Sequence, residues 1–115
     1  MPITFVQAIA RQEGFGVPGA IPTRDDNPGD IVWGRFAQAQ GATRDGRFAK
    51  WTTAQDGFNA ERTLLVDDYL GLTVRQALNK WAPASDGNDV SVYEKNVCAW
   101  TGMAPDTVLT AGNIG

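Results

Sequence analysis

The chain has 115 residues, 43% of them hydrophobic and 20% charged, a length that builds one domain (residues 1–115) around its own core. One cysteine excludes an internal disulfide framework, and the absence of histidine excludes the usual zinc sites together with Ser-His-Asp and Cys-His catalysis. The net charge of −3 argues against nucleic acid as a partner, because phosphate binding draws on a basic surface, and acid–base chemistry is left to carboxylates, Lys, Tyr and one thiol.

The opening segment reads as a helix over about residues 4–13. Thr4 and Gln7 have the spacing of a capping box, Phe5, Val6, Ile9 and Ala10 form an apolar stripe, and Gly14 and Gly16 stop it. Glu13 follows Ile9 by four positions and Ala10 by three, so it points along the apolar stripe. From Gly14 to Gly29 the pattern is that of an ordered loop, rich in Gly and Pro yet carrying Phe15, Val17 and Ile21. Between residues 31 and 51 the spacing predicts a small sheet: strands at Ile31–Trp33, Phe36–Gln40 and Arg47–Trp51, the last preceded by the hairpin signal Asp45-Gly46.

Helical periodicity then returns. Thr53 caps a segment to about Leu70 with Phe58, Leu65 and Tyr69 on one face, and Gly71 ends it. Thr73 opens a second helix, with Val74, Ala77, Leu78 and Trp81 at i, i+3, i+4 and i+7, closed by Pro83. After the turn Asp86-Gly87-Asn88, a third runs over about 89–101 with Val90, Tyr93, Val97 and Trp100 inward. Pro105 to Ala111 is expected to form a last short helix. Helices segregated from a small sheet define an α+β class.

No apolar run approaches the roughly 18–20 residues that span a bilayer, so no membrane insertion is expected. Met1–Ala10 has neither the basic start nor the apolar run of a secretory signal, which predicts a protein made in the cytoplasm without a signal peptide.

Glu13 is the strongest chemical candidate. Burial disfavours a carboxylate, and a carboxylic acid still protonated near neutral pH can protonate a glycosidic oxygen. The competing reading is a last-turn Glu that is solvated or paired with an Arg. Asp25, Asp26 and Asp30 follow within the segment Pro22–Asp30. One of them can serve as a second carboxylate, although Asp also favours turns and Asn27-Pro28-Gly29 is turn-forming. Gly29 is expected at positive φ. No EF-hand spacing is present, and neither metal nor cofactor is expected. Among the aromatics, Trp33 beside Gly34 is the candidate to line a glycan cleft, while Trp81 and Trp100 share helical spacing with core residues. Cys98 reads as a small core residue.

Several of these residues carry a resemblance. Arg11-Gln12-Glu13-Gly14, then Thr23 to Ile31, then Phe48-Ala49 followed by Gly57, resemble a lysozyme-like domain found in phage virion proteins and endolysins. Trp81-Ala82-Pro83 and Asp86-Gly87-Asn88 with Tyr93 are similar to the C-terminal half of that domain, so the likeness spans roughly Ile3 to Leu109. The commoner family pattern Asn-Asn-Pro-Gly-Asn stands here as Asp26-Asn27-Pro28-Gly29-Asp30.

The resemblance implies a lysozyme-like fold, mostly helical with a small antiparallel sheet after the first helix. In that fold a Glu ends the first helix and faces a cleft, and Glu13 stands at the matching place. It also implies a bacterial cell-wall glycan as the partner, cleaved by a muramidase or lytic transglycosylase that acts free or as part of a phage particle. Asn27 belongs to the motif and is expected at the substrate with Trp33. The second half is similar to goose-type lysozymes and lytic transglycosylases, which places Trp81 and Tyr93 at the border of the cleft. The alternative is a non-catalytic glycan-binding or virion structural module that kept the fold.

Overall fold

A computed structural model describes all residues, Met1–Gly115. Seven α-helices and one hairpin follow each other as α1 (Phe5–Glu13), α2 (Ile21–Arg24), α3 (Arg35–Ala39), β1 (Thr43–Asp45), β2 (Phe48–Lys50), α4 (Ala54–Asp68), α5 (Val74–Trp81), α6 (Val90–Thr101) and α7 (Ala111–Ile114), with a 3-10 turn at Ala84–Asp86. Helices and a two-stranded antiparallel sheet make this an α+β protein.

The long helices start where side-chain caps satisfy their free backbone N–H groups. Thr4 and Gln7 form a reciprocal capping box on α1, Thr73 and Gln76 do the same on α5, and Asp89 accepts from the Val92 amide at the start of α6. Gly14, at φ 96°, closes α1 in the left-handed conformation, its amide turned to the Ala10 and Arg11 carbonyls. Glu13 is therefore held at the last helical position, where the chain turns away.

Two apolar clusters flank the site. The larger unites α1, α4, α5, α6 and α7 through Phe5, Ile9, Leu65, Leu78, Val97 and Ile114. The smaller joins the hairpin to the loop and α3 through Ile31, Ala37, Ala49 and Trp51, with Ala60 of α4. Leu64 and Trp81 pack against both, so the seam between the clusters runs past these two side chains.

Between residues 31 and 51 the chain departs from the expected strands. Phe36–Gln40 is not a strand, because α3 occupies Arg35–Ala39. Its Arg-Phe-Ala-Gln-Ala run contains several good helix formers, and one buried alanine suffices to dock it. Ile31–Trp33 contributes only a single bridge, Val32 to Phe48, although Ile31 and Trp33 each bond the hairpin backbone. The hairpin pairs Thr43 with Lys50 and Asp45 with Phe48, so the turn is Gly46-Arg47 and Asp45 ends its strand. Residues 105–110 are not helical either. Val108 bridges Thr73, Leu109 bonds Leu72, and α7 starts only after Thr110. Within the Gly14–Gly29 loop, the one-turn α2 has Pro22 in its first turn, where a missing N–H costs nothing.

Candidate active site

Asn27 fastens the loop that faces Glu13. It is 0% exposed, donates from Nδ2 to the Ile31 carbonyl (2.9 Å) and the Ala49 carbonyl (3.0 Å), and accepts the Ile31 amide at 2.9 Å. This corrects its expected contact with substrate: Asn27 is sealed inside and ties the loop to β2.

The residues on either side, Asp26 (φ 48°) and Asp30 (φ 52°), take the left-handed conformation. Asn and Asp tolerate that conformation best after glycine. Both positions therefore need such a residue, and Asp serves at each. Gly29 is not in the left-handed region, contrary to expectation. Its requirement is space. A Cβ there would lie 3.0 Å from Trp81 Cζ2, 3.1 Å from Glu61 Cγ and 3.3 Å from Ile31 Cγ1. Gly29→Val is accordingly expected to cost about 1–3 kcal/mol through overpacking, measured by urea unfolding. Trp81 is displaced with it.

Glu13 stands at the wall of a cleft of about 370 Å³, lined also by Gly29, Asp30, Val32, Arg47, Phe48, Leu64, Lys80, Trp81, Asp86 and Asn88. The walls come from the loop and hairpin on one side and from α5 with the following turn on the other. Glu13 is half-buried, and the Tyr93 hydroxyl donates to its Oε2 at 2.7 Å. Asn96, one turn further along α6, donates to Gln12 at 2.9 Å and helps lock α1 against α6. Burial raises the Glu13 pKa to about 7. The Tyr93 bond opposes that rise by favouring the carboxylate, and the charge of the neighbouring Asp30 adds to it.

The remaining expected residues separate. Asp25 is fully buried, accepts from Arg24 Nε at 3.4 Å and lends its carbonyl to the Trp51 amide, so it braces the hairpin. Asp26 does not line the cleft. Its carbonyl faces Gly57 of α4. Asp30 does reach the cleft. Burial raises its pKa while Arg47 opposes the rise, and Oδ1 is buried without a partner. Trp33, expected at the glycan, packs against the smaller cluster and lies outside the cleft lining, where the preceding residue, Val32, takes its place beside its bridge partner Phe48. Trp81 does line the cleft, edge to face with Tyr69 at 5.4 Å between centroids. Tyr93 is buried behind the cleft and acts on Glu13, not on what enters it. Trp100 carries the Arg11 guanidinium 5.1 Å above its ring.

Reading the sequence missed Arg47, Lys80 and Asp86 on the cleft walls, and it missed Glu61. Glu61 falls three residues after Phe58 and four before Leu65, on the same apolar stripe. The spacing argument that singles out Glu13 applies to it equally. No cluster of three or more Asp, Glu or Cys side chains is arranged to hold a metal ion, and no helix is long and apolar enough to cross a membrane. No protein-family model, curated protein or solved structure matches the chain.

Proposed function

We propose that this protein has a lysozyme-like fold and cleaves the glycan strand of bacterial peptidoglycan, with Glu13 as general acid. One observation carries the reading. A half-buried carboxyl with a pKa raised to about 7 stands at the wall of an open cleft and is held by a buried tyrosine hydroxyl. Such a group is protonated over much of the range in which a cell wall would be attacked. The choice of peptidoglycan among glycans rests on the resemblance of Arg11–Gly14, Thr23–Ile31 and Phe48–Gly57 to lysozyme-like domains.

In the first step Glu13 gives its proton to the glycosidic oxygen, the C1–O bond breaks, and positive charge develops at C1. The Tyr93 O–H, already on Oε2, stabilises the carboxylate left behind. For the second step, Asp25 is sealed away, Asp26 is outside the cleft, and Asp30 reaches the cleft but burial raises its pKa, which makes it the weaker base. This arrangement favours capture of C1 by the 6-hydroxyl of the same muramate, whose proton returns to Glu13. The product is an anhydro sugar and no water is consumed. Attack by water would draw on Asp86, the other carboxylate on the cleft wall.

Clearing of a cell-wall suspension tests the reading. The rate is expected to hold on the acid side of about pH 7 and to fall as pH rises through it, because the ionised Glu13 has no proton to give. Binding to cell walls without any clearing across the pH range would support the non-catalytic module instead.

A further inference from the structure

Two cations stand on opposite walls of the cleft, Arg47 from the hairpin turn and Lys80 from α5. Neither is paired with a carboxylate, because the ion pairs of the chain use Arg24 and Arg75. Lys80 is nonetheless engaged. Its ammonium donates to the Asp68 carbonyl at 2.7 Å and lies 4.4 Å from the centroid of the Tyr69 ring. Arg47 is held differently. Its carbonyl accepts the Trp33 amide at 2.8 Å, and its guanidinium rests 5.2 Å from the ring centroid of Phe48, which lines the same wall. A backbone bond and a ring face hold the residue, and neither uses a guanidinium N–H.

A guanidinium laid on a ring keeps its fork of N–H donors free, and that fork matches a carboxylate through two parallel hydrogen bonds. The acidic groups of the cleft leave it unfilled. Asp30 feels the charge of Arg47 but forms no ion pair with it. Asp86 belongs to the turn after α5, on the opposite wall. A neutral glycan of N-acetylglucosamine offers only hydroxyl and acetamido groups. Muramate adds a lactyl side chain whose carboxyl is either free or extended by an acidic peptide stem.

We propose that Arg47 determines specificity in this cleft by binding a carboxylate of the muramate side chain, which selects anionic over neutral glycan. The inference deepens the peptidoglycan reading and rests on it for the identity of the glycan. The carboxylate has two sources, the free lactyl group of a peptide-free muramate and the peptide stem.

Calorimetric binding of three soluble probes tests this: a neutral N-acetylglucosamine tetramer, the peptide-free muramate-containing tetrasaccharide, and the same tetrasaccharide carrying peptide stems. A Glu13→Gln background keeps the probes intact, and Arg47→Gln, Arg47→Lys and Lys50→Gln are added to it. Arg47 is exposed, so its substitution is expected to leave the fold unchanged, with circular dichroism as the check. Arg47→Gln should weaken binding of a carboxylate-bearing probe about tenfold and leave the neutral tetramer unaffected. Whichever anionic probe carries the loss identifies the lactyl or the stem carboxylate. Arg47→Lys keeps the charge without the fork and should recover part of the loss. Lys50→Gln removes an exposed charge from the same hairpin, outside the cleft lining, and should change nothing. Added salt should weaken the anionic probe and spare the tetramer. No loss with either anionic probe, or an equal loss with the neutral one, would overturn the role of Arg47 and leave glycan cleavage by Glu13 standing. Equal losses in Arg47→Gln and Lys50→Gln would overturn it in favour of net charge alone. Absence of binding by every probe would also overturn it, and the clearing assay then decides separately on the proposed function.

Discussion

Glu13→Gln is expected to lower glycan cleavage by about 10²–10⁴-fold, the usual worth of a general acid, while the fold is retained. The substitution keeps shape and a hydrogen-bonding oxygen for Tyr93 but removes the transferable proton. Stability should move the other way. The carboxyl has its pKa raised from 4.5 to about 7, so the unfolded chain ionises first and the folded state is progressively disfavoured as pH rises between those values. Each pH unit is worth about 1.4 kcal/mol for a fully shielded group, and partial exposure of Glu13 reduces the total to about 1–2 kcal/mol. Glu13→Gln should therefore match wild type near pH 4 and exceed its stability above pH 7, as read from denaturant unfolding at the two pH values. Higher stability together with lost activity separates a catalytic group from a misplaced surface residue.

The largest expected effect on folding is at Gly57. A Cβ there would collide with the Asp26 carbonyl oxygen and come within 2.7 Å of Pro28 Cδ. Neither neighbour can retreat, because Asp26 is in the left-handed conformation and Asn27 is pinned by three hydrogen bonds. Gly57→Ala is expected to cost about 3 kcal/mol or more, although alanine is the better helix former by about 1 kcal/mol. Gly112 in α7 is the control. The nearest atom to an added Cβ there is 3.8 Å away, so Gly112→Ala should be neutral or mildly stabilising. Thermal unfolding of the two variants side by side checks the pair. Because Gly57 backs the Asp26–Asp30 segment, loss of activity in a Gly57→Ala protein that still folds would point to a displaced Asp30.

The long helices and Glu13 were legible because their signals are local. A capping residue, an apolar stripe and a stop, glycine after α1 and α6 and Pro83 after α5, each lie within one stretch of chain. The short elements were not. At Arg35–Ala39 one buried alanine decides between helix and strand, and that burial comes from the hairpin and Trp51, which the local pattern does not contain. Asn27 and Trp33 show a second limit. A motif marks where the chain must be special, but it does not say whether the side chain faces solvent or the interior. Asn27 turns inward to hold backbone, and the cleft wall is formed by Trp81 instead. Glu61 is a different case, since its place on the Phe58–Leu65–Tyr69 stripe was readable.

The account turns on Glu13 giving its proton to a glycosidic oxygen of peptidoglycan, and mass spectrometry of the fragments released from purified cell walls tests that most directly. Wild type is expected to release glycan fragments ending in anhydro-muramate, and Glu13→Gln almost none. Fragments ending in reducing muramate would keep Glu13 as the acid and transfer the second step to water. Intact glycan after treatment with wild type, or equal release by a folded Glu13→Gln, would contradict the account.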